Sequence, residues 1–368
     1  MTTPLVVGVP RELKPDERRV AVTPDGVREL AQTGVPVLVE AGAGAGAGLD
    51  DEAYRVAGAE VVDDAAEVWA RADLVCKVKE PQVAELGHLR PDLVLFTYLH
   101  LAAYPKVATA LCDAGTTGIA YETVMRPDGQ LPLLAPMSEI AGRLATQAGA
   151  RFLEAPQGGR GVLLGGAAGV RPARVVVIGA GHVGWNAARV AAGMDAEVVV
   201  LDRDVDRLRE VDRIRSGRIE TVASNRGSVE RHVADADLVV GAVLVAGGRA
   251  PVVVDEEMVA TMRPGSVIVD VAIDQGGCVQ TSRETTHQDP VFVAHGVSHY
   301  AVGNIPGAVP HTSTFALTNA TLPYLAALAL AGVEEACERD PVLAGGVNTR
   351  DGKVVNPAVA EALEATVG

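Results

Sequence analysis

Apolar residues in this chain come as short dense runs set between stretches where they recur every three or four positions. Over the first third, "LVVGVP", "VPVLVEAG", "AEVVD", "LVCKVK", "LVLFTY" and "TTGIAYETV" predict strands. Between them, "DGVRELAQTG", "DEAYRVAGA", "AAEVWARA" and "YPKVATALCDAG" have helical spacing, and several end in a glycine, as helices do. A second block repeats the alternation with "RVVVIGAG", "AEVVVLD", "IETVAS", "DLVVGAV", "SVIVDVA" and "VFVAHG". Runs such as "VVVI" are apolar on both faces, the pattern of parallel strands covered above and below.

The pattern therefore predicts an α/β fold with two doubly wound Rossmann-like domains and a cleft between them. The second block ends near residue 310. The remainder is helix-rich in pattern and short for a domain of its own, so it is expected to return to the first. The predicted domains are 1–135 plus 311–368, for substrate and catalysis, and 136–310, for the dinucleotide. Two long helical patterns, 138–155 and 313–332, link them.

Composition narrows the function. The chain has 368 residues and is 48% hydrophobic but 3% aromatic, so Ala, Val and Leu must build its cores. A formal charge of −15 without a basic stripe argues against nucleic acid or an anionic membrane as partner. Cys76, Cys112, Cys278 and Cys337 form no C-x-x-C pair, so no metal site is indicated. The N-terminal stretch lacks the features of a signal peptide, and "YLAALALAGV" (324–333) is too short to span a bilayer. A cytoplasmic enzyme is expected.

The strongest motif lies at 174–202, "RVVVIGAGHVGWNAARVAAGMDAEVVVLD". Gly179, Gly181 and Gly184 form a G-x-G-x-x-G directly after a strand and at the opening of a helix. The first glycine allows the tight turn, the second the approach of a pyrophosphate, and the third close helix–strand packing. Asp202 ends the next strand, where an acid binds the adenosine ribose. It would repel a 2′-phosphate and so favours NAD over NADP, a preference that Arg203 blunts. Ser224, after the third strand, is either an adenosine contact or a solvated loop serine.

Four other stretches carry polar groups at strand ends: Arg18 and Arg19; Lys77 and Lys79; His100; and Asp270 with Asp274. Lys77 and Lys79 are two apart, so on a strand they share one face and ask for an anion. Singly, each group reads as easily as a solvated or structural residue. Together beside a dinucleotide fold they suit the oxidation of an amino or hydroxy acid. Cations hold the carboxylate, a histidine moves the proton, and hydride leaves for the nicotinamide.

Nearly end to end the chain also resembles the L-alanine dehydrogenases, relatives of the soluble part of the transhydrogenase alpha subunit. The resemblance is carried by "RVAVTP", "KVKEP", "FTYLHLAA", "GTTGIAYETV", "LPLLAPMSEIAGRLA", "GGRGVLLGG", "VIGAGHVGWNAARVA", "DLVVGAVL", "VDVAIDQGGC" and "TSTFALTNATLPY". It implies NAD-dependent, reversible deamination of L-alanine to pyruvate and ammonium. By motif, Arg19 and Lys79 would hold the substrate, and His100 and Asp274 would be the acid–base pair. Asp202, Ser138 and Asn304 would lie at the cofactor, and a homohexamer is implied.

The segment "SHYAVGNIPGAVP" (298–310) departs from the family pattern at His299, Ala301, Gly303 and Ile305, and Ala246 stands where proline is expected. The resemblance places this region on the nicotinamide side of the cleft, so another small amino acid is an alternative substrate. A non-catalytic NAD(H)-binding transhydrogenase-like subunit and a silent NAD-responsive regulator are further alternatives.

Overall fold

The computed structural model describes residues 3–214, 219–243 and 250–367; Ala246 lies outside them. The chain divides into two compact units, Met1–Met137 with Val309–Gly368, and Ser138–Ala308. The first division falls inside the helix Ala135–Phe152.

In chain order, strands β1 (Val7–Val9), β2 (Val37–Glu40), β3 (Glu60–Val62), β4 (Leu74–Cys76), β5 (Val94–Thr97) and β6 (Thr117–Ala120) belong to the first unit. The second unit carries β7 (Arg174–Ile178), β8 (Glu197–Asp202), β9 (Ile219–Ala223), β10 (Leu238–Gly241), β11 (Val267–Asp270), β12 (Val291–Ala294) and β13 (Val297–Tyr300). The returning segment adds β14 (Val347–Arg350) and β15 (Lys353–Val354) to the first.

The first sheet has the order β15-β14-β6-β5-β4-β1-β2-β3. From β3 to β6 all pairs are parallel, while β14 joins β6 antiparallel. The chain winds outward from β1 to β3 on one side and from β4 to β6 on the other. The strand order therefore reverses between β1 and β4, where side chains beyond the strand ends can surround a ligand.

The second sheet has the order β12-β13-β11-β10-β7-β8-β9, with its reversal beside β7. Here β12 is an antiparallel edge strand. The dense valine runs behave as their pattern requires. Val175 and Val177 pack into one cluster with Ala187, Ala188 and Ala191, while Val176 and Ile178 pack into another with Val229, Val233 and Met258. Adjacent strand residues thus serve opposite faces, and small alanines let the helix His182–Gly193 lie close.

Three expectations need correction. The run "LVCKVK" stops being a strand at Cys76, so Lys77 and Lys79 lie beyond its end and not on a shared strand face. The tail contributes two strands as well as helices, and "VSHY" is a strand (β13) that pairs with β11. The run 324–333 belongs to a much longer helix, Pro310–Arg339, broken at Gly332 where φ is 76°. Among the described residues this helix alone is long and apolar enough to cross a membrane. A packed core helix satisfies the same measure, and this one buries Leu317, Leu325 and Leu328 in the first unit. Its Ala329 carbonyl accepts from the Leu5 amide at 2.8 Å, and its Thr314 hydroxyl from Val20 at 3.2 Å.

Candidate active site

In the first unit, the loops after β1, β4, β5 and β6 bring together the chemistry-bearing side chains. Arg19 comes from the loop after β1, Lys79 after β4, His100 after β5 and Glu122 after β6. β1 and β4 flank the reversal of strand order, and β5 and β6 follow beside β4, so the topology brings these loops to the same end of neighbouring parallel strands.

Arg18 and Arg19, adjacent in sequence, part company. Arg18 is exposed, whereas Arg19 is buried and gripped by Glu17. Arg19 Nε donates to Glu17 Oε1 at 2.7 Å and Nη2 to Oε2 at 2.5 Å, a bidentate pair, while Nη1 reaches the Met137 sulfur at 3.0 Å. Burial works against the Glu17 carboxylate, but the Arg19 charge and hydrogen bonds, with Lys79 nearby, hold its pKa down at about 2. The pair presents a desolvated, fixed guanidinium whose Nη1 faces a weak thioether acceptor.

Lys77 and Lys79 also separate. Lys77 is fully buried, its Nζ 2.9 Å from Glu85 and 3.2 Å from Glu12. Burial opposes its charge, and the two carboxylates outweigh burial and raise its pKa. Lys77 is thus the counter-charge of two buried glutamates and not an anion clamp. Burial likewise raises the Glu12 pKa, despite the attraction of Lys77. The Glu12 carboxylate accepts from the amide of Val78 at 2.6 Å and from that of Lys79 at 3.3 Å, so it fixes the backbone that carries Lys79. Lys79 itself is half-buried, and its charge is felt at both Glu17 and Glu122.

His100 has a left-handed backbone, φ 45°, uncommon for a residue with a side chain. Its ring stacks on Tyr98 with centroids 5.6 Å apart and planes 1° from parallel. Tyr98 is buried and donates its hydroxyl to the Leu133 carbonyl at 2.6 Å. Glu122 accepts from the His100 amide at 2.5 Å and the Leu99 amide at 3.3 Å. Sequence reasoning missed Glu12, Glu17, Glu85, Tyr98 and Glu122. A glutamate is usually a solvated residue, and only burial marks these as different. The one available signal was their position just beyond strand ends.

The second unit holds the glycine fingerprint. Gly179 turns with φ 107°, and a side chain there would strike the Ala242 carbonyl. A Cβ on Gly184 would lie 1.7 Å from the Gly179 oxygen, so the helix can pack this close only without one. At Gly181, by contrast, the nearest atom to such a Cβ is 3.7 Å away, leaving the backbone open at the start of the helix His182–Gly193. That is the cradle a pyrophosphate requires. Asp202 ends β8 and folds its carboxylate back, Oδ2 accepting from the Ala180 amide at 2.6 Å and Oδ1 from Asp204 at 2.8 Å. Ser224 follows β9, its amide bonded to the Asp202 carbonyl at 2.8 Å. Ser138 is half-buried on the helix Ala135–Phe152.

Asp270 and Asp274 divide their work. Asp270 is buried and accepts from the amides of Ala272, Cys278 and Val279, which makes it the structural anchor of the loop after β11. Asp274 is exposed at the tip of that loop, where Oδ1 accepts from the Asn304 amide at 3.2 Å. Asn304 adopts φ 58°, and Gly303 leaves room beside the Asp274 and Glu284 carboxylates that any Cβ would crowd. At the altered positions, His299 is fully buried, bonded to Thr281 at 2.8 Å and the Val297 carbonyl at 3.0 Å. Burial lowers its pKa, which keeps the ring neutral. Ile305 joins the hydrophobic cluster of β7 and β8. These two substitutions are therefore changes of packing within the second unit.

Comparison with known proteins completes the picture. The description "Alanine dehydrogenase/PNT, N-terminal domain" matches residues 8–141, and "Alanine dehydrogenase/PNT, C-terminal domain" matches residues 145–357. The chain is 54% identical to alanine dehydrogenase of Mycolicibacterium smegmatis over 98% of its own length and 97% of that protein. It is 53% identical to alanine dehydrogenase of Bacillus subtilis, over 98% of this chain and 95% of the other. Among solved structures, an L-alanine dehydrogenase superposes with a TM-score of 0.94 at 50% identity, covering 98% of this chain and 99% of that one. The transhydrogenase of Sinorhizobium meliloti superposes with a TM-score of 0.80 at 26% identity, over 96% and 99%. With both halves matched and relatives half identical over nearly its whole length, the chain belongs to the alanine dehydrogenase/PNT family and is an amino-acid dehydrogenase of that family.

Proposed function

We propose that the protein catalyses the reversible, NAD-dependent oxidative deamination of L-alanine to pyruvate and ammonium. The observation that carries this reading is the gathering of Arg19, Lys79 and His100 beyond neighbouring strand ends in the first unit. The names of the half-identical relatives support alanine as the substrate.

In this reading Arg19 and Lys79 hold the substrate. The Glu17 clamp holds the planar guanidinium in one orientation, and the carboxylate of alanine or pyruvate takes the place of the weak sulfur acceptor at Nη1. Lys79 sits at the substrate's carbonyl or carboxylate oxygen. NAD is held by Gly179, Gly181 and Gly184 at its pyrophosphate and by Asp202 at its ribose. Ser138, Ser224 and Asn304 make further contacts. Held there, NAD would supply the acceptor for the hydride that leaves Cα of alanine. His100 and Asp274 are the acid–base groups. His100 takes the proton from water as it attacks the imine carbon, and the carbinolamine then loses ammonia to give pyruvate. Asp274 orients the water and the amine. The assembly is a homo-oligomer, hexameric by family, acting in the cytoplasm.

The test is NADH consumption with pyruvate plus ammonium, run beside glyoxylate, 2-oxobutyrate and oxaloacetate. Pyruvate should give the highest kcat/KM. Preference for another 2-oxo acid would overturn the choice of alanine, and silence on all four would overturn the enzymatic reading.

A further inference from the structure

The Glu122 carboxyl meets His100 in two ways at once. It binds the backbone that sets the residue, through the amides of His100 and Leu99, and its Oε1 lies 3.7 Å from the imidazole Nδ1. The backbone it pins is in the left-handed region, where a histidine does not rest without support. The Tyr98 ring, stacked on the imidazole, fixes the remaining rotation.

Building on the reading of His100 as the proton-transfer group, we infer that Glu122 is its positioning residue, pinning the His100 backbone and facing Nδ1 so that Nε2 is left for the reaction. The carboxyl is largely covered, its side chain 14% exposed. Burial pushes its pKa up to about 7, against the amides of Glu122, His100 and Leu99 and the charge of Lys79. The titratable groups that face it are thus His100 and Tyr98 after β5 and Lys79 after β4. Glu122 gains its charge near neutral pH, and the charged form favours a protonated imidazole.

Two substitutions separate position from charge. Glu122→Ala removes both and should lower kcat by about tenfold to a hundredfold, with the KM for pyruvate within about twofold, because Arg19 and Lys79 are untouched. Glu122→Gln keeps one oxygen, which can still accept from the closer amide, that of His100. It should recover kcat to within about threefold, while the acid limb of kcat/KM for alanine moves to lower pH. Wild-type kcat and an unmoved pH profile in both variants would overturn the inference. So would an equal loss in both, since position alone should be rescued by glutamine. Should neither variant fold, ¹⁵N-histidine NMR of the wild-type protein decides, with His100→Asn assigning the resonance. A neutral ring protonated on Nδ1 supports the pairing, and a neutral ring protonated on Nε2 overturns it. The NMR result does not depend on turnover, so it stands apart from a failure of the proposed function.

Discussion

The two units solve opposite problems at their ligand-facing strand ends. The second unit makes a backbone surface: Gly179 and Gly184 remove side chains so that amides and a helix end can approach an anion. The first unit makes a side-chain surface. It buries Arg19 and Lys77 and surrounds them with Glu12, Glu17 and Glu85. A shaped backbone is stable by itself, because no charge is desolvated. A buried cation is not, and each needs a carboxylate already in place. Glu12, Glu17 and Glu85 each do two things: they pair with a buried cation and accept from a backbone amide.

The largest expected effect tests this difference directly. Lys77→Met strands two buried carboxylates and should cost about 3–5 kcal/mol in denaturant unfolding. Adding Glu12→Gln and Glu85→Gln should return most of that loss, because an uncharged buried cluster needs no counter-ion. If the single variant were as stable as the wild type, Lys77 would not be the counter-charge its burial makes it. In the second unit, Gly184→Ala forces the helix start away from Gly179. About 1–3 kcal/mol of stability should go, and NADH fluorescence titration should show weakened binding.

Smaller effects separate substrate from cofactor. Lys79→Ala should raise the KM for pyruvate by about tenfold to a hundredfold, the value of a charged hydrogen bond, with thermal stability almost unchanged. The contrast with Lys77→Met, two positions away, is the sharpest comparison available in the chain. Asp202→Ala should raise the KM for NAD by about tenfold and leave that for pyruvate alone. A rise in both would mean that the residue acts through the fold.

The smallest effect is in pH dependence, where two glutamates of the same unit should behave oppositely. The Glu17 pKa is held at about 2, below the ordinary 4.5, so its stabilisation is present above pH 4.5 and lost as pH falls toward 2. The Glu122 pKa is raised to about 7, so its contribution is present below pH 4.5 and lost as pH rises through 7. Glu17→Gln should flatten the acid side of the stability profile and Glu122→Gln the neutral side, as measured by thermal unfolding across pH. Identical profiles for the two variants would contradict the assigned environments.

Legibility followed the range of the interactions. The dinucleotide turn was readable because its glycines, helix start and terminal Asp202 lie within one strand–helix–strand unit, and the geometry of each follows from local chain sterics. Strand and helix periodicity was likewise local. The strands one place in from the sheet edges were less so: β13 carries His299 and β14 carries Asn348, polar residues that make sense in a sheet only once their buried surroundings are known. The pairing of lysines in "KVK" led to a shared anion site because alternation was assumed to continue past Cys76.

By itself, then, the sequence determined the α/β class, the glycine cradle and the cast of cationic and proton-carrying residues, since residue type and near-neighbour spacing control those. Tertiary structure decided the surroundings of each. Arg19 was distinguished from Arg18, Lys79 from Lys77 and Asp274 from Asp270 by burial and by the carboxylates or amides that each meets, whether a near neighbour such as Glu17 or the sequence-distant Glu12 beside Lys77. The physical reason is that a charge's role is set by its solvation and its counter-charges, and both depend on how the chain folds around it.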